Sequence, residues 1–83
     1  MPQEQTTLFN IDALNAETTR KILTEVYDAL EERGYNPTNQ IVGYLISGDP
    51  GYISSYKEAR TKIQEIDRAK IVEILLNEFR KNN

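Results

Sequence analysis

The sequence predicts an all-α fold, a small four-helix protein built from helix-loop-helix units. Three observations carry that expectation. Apolar residues recur at helical spacing in four separate stretches. Turn residues separate the stretches, most clearly Gly34 and the run Gly48-Asp49-Pro50-Gly51. No stretch reads as a convincing strand, and the connections are a few residues long, as in a bundle or a pair of helical hairpins.

Residues 1–14 are mostly polar, with Leu8, Phe9, Ile11 and Leu14 as the apolar exceptions. They are expected to form a flexible tail, because chain termini order only when tied down. A short extended contact through Leu8 or Phe9 with Ile11 is the alternative.

The first helix is expected from about Ala16 to Arg33. Asn15 suits the cap, since its side-chain oxygen can accept an orphan backbone N–H. Glu17 suits the positive end of the helix dipole and Arg33 the negative end. Ile22, Leu23, Val26, Tyr27 and Leu30 form the apolar stripe, and Gly34 supplies a left-handed closing residue.

The second helix is expected from Pro37 to about Ser47. Asn36 caps it, and proline stands at the first helical position, where its missing N–H costs nothing. Its apolar set is Ile41, Val42, Tyr44, Leu45 and Ile46, which covers roughly 200° of the helix surface at about 100° per residue. A helix on the outside of a small monomer buries less than that. Two explanations stay open: a subunit interface, or the central helix of the core. Either way Ile41, Val42, Leu45 and Ile46 are expected to be largely buried.

A third helix is expected from about Ser54 to Ile66, with Ala59, Ile63 and Ile66 on one face. Continuing that face would bury Lys70 and Glu73, so the phase slips near Asp67, itself a good cap. A fourth helix then runs from about Arg68 to Arg80, with Ile71, Ile74 or Leu75, and Phe79 inward. Val72 and Leu76 widen its apolar face, and residues 81–83 are expected to fray.

Composition removes several functions. The chain has 83 residues and neither Cys nor His. No disulfide can form, a zinc site would need carboxylates alone, and no cofactor is called for. For a chain of this size, near the edge of independent stability, oligomerisation is the remedy left. The commonest catalytic base and the thiolate nucleophile are both missing. The glycines at 34, 43, 48 and 51 are scattered and form no phosphate-binding loop. Glu31 with Glu32, and Glu65 with Asp67, read as solvated faces rather than as acid–base pairs. No catalytic residue is assigned, and the protein is expected not to be an enzyme.

Thirteen acidic residues stand against ten basic ones, a net charge of −3. That balance argues against nucleic acid, whose binders carry a basic excess. The first two helices joined at Gly34-Tyr35 do suggest a helix-turn-helix, so a helical nucleic-acid-binding protein is one alternative function. The second helix, apolar and without Arg or Lys, suits a groove poorly. An unphosphorylated structural adaptor is the other alternative. No apolar run approaches the roughly 20 residues of a membrane span. Met1 to Asn10 does not read as a signal peptide. A cytoplasmic location without membrane insertion is therefore expected.

Two features go beyond composition. The segment from Tyr35 to Ile53 packs a capped helix and a tight turn between glycines. Gly48 is expected at positive φ, and Asp49 in an Asx-turn ahead of Pro50. The exposed amides of Asn36, Asn39 and Gln40 are candidate partner contacts. Thr6 and Thr7, in the tail, are accessible positions where a kinase would add about −1.5 to −2 charge.

The segment Tyr35-Asn36-Pro37-Thr38-Asn39-Gln40-Ile41-Val42-Gly43-Tyr44-Leu45-Ile46-Ser47-Gly48-Asp49-Pro50-Gly51-Tyr52-Ile53 closely resembles the signature of the IreB family. These are small regulatory phosphoproteins of Gram-positive bacteria. Tyr56 with Ala59-Arg60, the preceding Glu32-Arg33-Gly34, and the later Asp67-Arg68 and Ile71-Val72-Glu73 extend the resemblance over about residues 6–80. It implies a homodimer of helix-loop-helix subunits, with residues 15–81 as the helical dimerisation domain. It also implies phosphorylation on a tail threonine by a transmembrane Ser/Thr kinase, with a phosphatase and a downstream protein as further partners. The role it implies is in cell-envelope stress and tolerance of cell-wall-active antibiotics. Thr6 takes the place of the family's threonine, with Thr7 the fallback. The family's basic residue near it is replaced by Leu8, and a second upstream threonine falls near Gln3 and is missing. Ser54 and Ser55 stand where proline and arginine are frequent. Arg60, Lys62, Arg68 and Lys70 are candidate attractors for a tail phosphate, set against the plainer reading of a solvated helix face.

Overall fold

The computed structural model describes residues 11–82, with side chains from Asn15 onward. Its elements are α1 (Ile11–Glu32), α2 (Pro37–Ser47), a 3₁₀ turn (Pro50–Tyr52), a second 3₁₀ turn (Tyr56–Glu58), α3 (Ala59–Ile63) and α4 (Arg68–Lys81). Among the described residues the fold is all-helical, as expected.

Helix α1 has 22 residues and starts at Ile11, ahead of the expected Ala16. It takes in residues 11–14, which the sequence assigned to the tail. Asn15 therefore lies inside the helix and does not cap it. Ala13, Leu14 and Ala16 are strong helix formers, and one Asn inside a helix costs only about half a kcal/mol relative to Ala. The far end closes as expected. Gly34 takes φ 91°, and the Tyr35 N–H reaches back to the Leu30 carbonyl while the Gly34 N–H reaches Glu31, both at 3.0 Å. That pair of bonds satisfies carbonyls the helix end would otherwise orphan.

Helix α2 is bounded by the predicted residues. The Asn36 side chain accepts the Asn39 N–H at 3.1 Å. Gly48 adopts φ 78° and donates its N–H to the Tyr44 carbonyl at 2.7 Å. In the following turn, Asp49 Oδ1 accepts the Gly51 N–H at 2.9 Å.

The third helix departs from expectation. Ser54 to Ile66 is not one helix but a 3₁₀ turn and a single α-helical turn. Lys57 (φ 51°) and Glu58 (φ 63°) are both left-handed, which interrupts any continuous helix there. Such residues cost on the order of 1 kcal/mol each without glycine, so tertiary contacts must hold them. The Arg60 N–H bonds to the Ser54 carbonyl, and Lys57 pairs with Glu32 of α1 at 2.7 Å. The break at Asp67 is as predicted: its side chain accepts the Ala69 N–H at 3.2 Å and opens α4.

The core lies where α1 meets everything else. Val26 and Leu30 from α1, Ile53 after the turn, Ala59 and Ile63 of α3, and Ile71 of α4 are wholly buried, with Ile41, Tyr44 and Ile74 almost so. Of the apolar residues expected inward, Tyr27 and Phe79 are exposed, and of the alternatives Ile74 or Leu75 it is Ile74 that is buried.

Candidate functional site

The signature segment divides into two kinds of residue. Most hold the turn together. Gln40 Oε1 accepts the Ser54 N–H at 3.1 Å, tying α2 to the chain beyond the turn. Ser47 Oγ donates to the Gly43 carbonyl at 2.7 Å and accepts the Asp49 N–H at 3.0 Å. Tyr52 lays its ring on Gly43 so closely that a Cβ there would stand 2.5 Å from a ring carbon. Pro37 is buried. Of the amides read as partner contacts, Asn36 and Gln40 thus spend their oxygens inside the chain, while Asn39 is exposed.

The second kind faces outward. Ile41 and Tyr44 enter the core, Leu45 is half-buried, but Val42 is 45% and Ile46 80% exposed. The expected burial of Val42 and Ile46 is therefore not met among the described residues: α1 covers one side of α2 and the Tyr52 ring lies on Gly43, but Val42 and Ile46 stand exposed. Helix α4 repeats the pattern, with Ile71 and Ile74 inward and Val72, Leu75, Leu76 and Phe79 exposed. Between these outer faces lies a groove of about 160 Å³, lined by Leu23, Tyr27, Thr38, Ile41, Val42, Leu45 and Leu75. In the sequence, Val72 and Leu76 widen the apolar face of α4 as Val42 and Ile46 widen that of α2. Equal excess apolar width on two helices was the available signal.

The charges close on one another. Arg60 donates through Nε to the Ile53 carbonyl at 2.8 Å, and Arg68 through Nη1 to the Leu45 carbonyl at 3.0 Å. Lys62 pairs with Glu25 at 3.5 Å and Lys70 with Glu73 at 2.9 Å. Each candidate phosphate attractor is thus engaged within the fold. Arg33 and Lys57 both lie over the Tyr56 ring, at 5.6 and 5.7 Å. The hydrogen bond from Lys57 holds the Glu32 carboxyl below the usual carboxylate range, and the same bond raises the Lys57 ammonium. The carboxylate pairs are occupied separately, Glu32 by Lys57 and Asp67 by the cap of α4.

The chain matches the family of IreB regulatory phosphoproteins over residues 4–81. It belongs to that family. The resemblance carried by Tyr35 to Ile53 thus extends over almost the whole chain, and the role is a regulatory one. IreB proteins are regulatory phosphoproteins rather than a family of known enzymes. The matched span includes Thr6 and Thr7, which lie outside the described residues. Among the described residues no helix is long and apolar enough to cross a membrane.

Proposed function

We propose that this chain is a non-enzymatic regulatory phosphoprotein that works as a homodimer of helix-loop-helix subunits in the cytoplasm. A Ser/Thr kinase modifies Thr6, with Thr7 the fallback, and a phosphatase reverses it. The modified state changes how the dimer engages a downstream protein, and through it the cell-envelope stress response and tolerance of cell-wall-active antibiotics.

The observation that carries the dimer is the paired apolar face of α2 and α4. An exposed apolar area of this extent on so small a chain marks an interaction surface. A second copy suits it best. Helix α2 bears no charged residue, so bringing two copies of this face together meets no like-charge penalty from α2, and a two-fold arrangement is the usual solution.

Family membership supports the phosphate. Geometry then bears on what the phosphate does. Thr6 lies five residues ahead of Ile11, a span of at most about 18 Å. Helix α1 is about 33 Å long at 1.5 Å per residue. Within one subunit a phosphate on Thr6 can therefore reach no farther than about the first half of α1, whose surroundings include a polar groove with Glu65, Asp67 and Lys70. It does not reach Arg33 and Lys57 at the far end. The reachable groove carries more carboxylates than cations, and Lys70 is already paired with Glu73. That groove offers no excess of positive charge, which favours display of the phosphate to a partner over its capture there.

Two experiments test this reading. Incubation with the cognate kinase and mass spectrometry of the tail should place one phosphate on Thr6 or Thr7; an unmodified tail sinks the phosphorylation. Light scattering on a sizing column should give close to twice 9.6 kDa; a monomer sinks the dimer.

A further inference from the structure

A polar connection joins α2 to α4 at the edge of the apolar groove. Asp67 fixes the first turn of α4 by accepting the Ala69 N–H through its side chain and the Lys70 and Ile71 N–H groups through its carbonyl. Arg68, the first residue of α4, is thereby aimed at the end of α2. Its Nη1 donates to the Leu45 carbonyl at 3.0 Å. A Cβ on Gly48 would stand 2.9 Å from Cζ and 3.0 Å from each Nη, so the guanidinium lies flat across the Gly48 backbone.

Each part of that contact has a reason. The last carbonyls of a helix lack intrahelical donors, and a cation is favoured at that end. A planar guanidinium can donate in its plane while stacking through its face, which an ammonium cannot. Gly48 is needed for its positive φ and also to let the guanidinium approach.

The contact bears on the apolar face through Leu45. Its carbonyl takes the Arg68 hydrogen bond, while its side chain lines the groove with Val42 and Leu75. Helix α2 meets the core through Ile41 and Tyr44, with Leu45 partly buried against it, and Gln40 and Gly43 tie it to the turn that follows. Arg68 joins the C-terminal end of α2, next to Ile46, directly to the start of α4, and that joint bears on how far Val42 and Ile46 stand from Leu75, Leu76 and Phe79.

We propose that Arg68 is a positioning residue for self-association: it sets the angle between α2 and α4 and so registers the two halves of the face that a second copy covers. The proposal rests on the dimer reading above.

The test is a dilution series by analytical ultracentrifugation on the full chain, at a temperature where circular dichroism shows every variant folded. Arg68→Ala should weaken the dimer several-fold, through the lost positioning of α2 against α4, with helix content unchanged. Arg68→Lys should fall between, since an ammonium can reach the carbonyl but cannot lie flat on Gly48. Ile63→Val, a core change on α3 away from the face, should lower the melting temperature and leave association alone. A dimeric wild type with Arg68→Ala equally tight overturns the role of Arg68 and leaves the dimer standing. Equal weakening by Ile63→Val overturns it as well, reducing Arg68 to general stability. Should Arg68→Ala not fold, Arg68→Lys decides: wild-type affinity overturns the proposal. A wild type that stays monomeric throughout overturns the dimer reading and this inference with it.

Discussion

The two sides of α2 obey different constraints. On the inner side, Ile41 and Tyr44 are in the core; around the helix and at its end, Gly43 is filled by the Tyr52 ring and Gly48 is covered by Arg68. On the outer side, Val42 and Ile46 are as apolar as their neighbours but meet nothing among the described residues that buries them. The same eleven-residue helix thus contains a closed structural lock and an open surface. A continuous sequence signature need not be one functional site. Here most of it builds the turn, and the outward remainder is what is left to meet a partner. Changes to the inner side should therefore cost stability of the single subunit, and changes to the outer side should cost association alone.

The largest effect is expected at Ile53. It is wholly buried just after the signature turn, and truncating a buried Ile to Ala costs about 2–5 kcal/mol. A chain of this size has little stability to lose. Ile53→Ala should be largely unfolded or melt many degrees lower in a thermal scan by circular dichroism. A near-wild-type melting curve would mean that the core is not where the structure puts it. Next comes Gly48→Ala. It strains a residue at φ 78° and pushes a methyl into the Arg68 guanidinium, for a loss of about 1–2 kcal/mol. Chemical denaturation should show it.

The outer side supplies the contrast. Ile46→Glu replaces a side chain that is 80% exposed, so the subunit's own stability should move by no more than about 0.5 kcal/mol. Two buried glutamates facing each other across a two-fold would nonetheless oppose association strongly. The expected outcome is a folded monomer by light scattering. An unfolded Ile46→Glu chain would show that the two sides of α2 are not separable, either because the dimer is obligatory or because Ile46 belongs to the core.

How much of this could be read beforehand follows from the kind of signal each feature uses. The bounds of α2 were legible because Asn36-Pro37 and Gly48-Asp49-Pro50-Gly51 are local chemistry: a cap, a fixed φ and a left-handed turn need no distant partner. The break at Asp67 was legible from a phase slip between two apolar stripes. The left-handed pair Lys57-Glu58 was not, because neither residue prefers that conformation; beside the local Ser54 carbonyl, its support from Glu32 comes from α1, elsewhere in the fold. The start of α1 was misplaced because Asn15 is acceptable both as a cap and within a helix. Val42 and Ile46 were expected inside because periodicity gives the width of an apolar arc but not which part another element covers. The candidate site fared similarly. The cations Arg60, Lys62, Arg68 and Lys70 were visible as a set, but their engagement by backbone carbonyls and neighbouring carboxylates depends on a packing that spacing alone does not specify. Thr6 and Thr7 rest on the sequence and the family match, since they lie outside the described residues.

The smallest effect sharpens the comparison at a surface where both partners are solvated. Glu32 and Lys57 link the end of α1 to the left-handed pair at 2.7 Å. The Glu32 carboxyl is lowered in the folded state, chiefly by the Lys57 hydrogen bond. A lowered carboxylate contributes stability that is present above its unfolded pKa and is lost as pH falls through the folded value. Lys57 is raised, so its share is present at neutral pH and lost only as pH rises through the ammonium range. The pair therefore acts across the neutral range, and its acid limb belongs to Glu32. Exposed ion pairs contribute little, so Glu32→Gln should lower the melting temperature only slightly at pH 7. That gap should close on acidification through the carboxylate range, and it should shrink in high salt. The left-handed Lys57 makes the experiment informative beyond the pair itself. If Glu32 helps to hold that backbone, amide exchange at residues 55–58 should quicken in Glu32→Gln at pH 7 and converge with wild type at acid pH. Exchange that is identical at both pH values would mean that the Ser54 carbonyl and the core residue Ala59 hold the turn without help from α1.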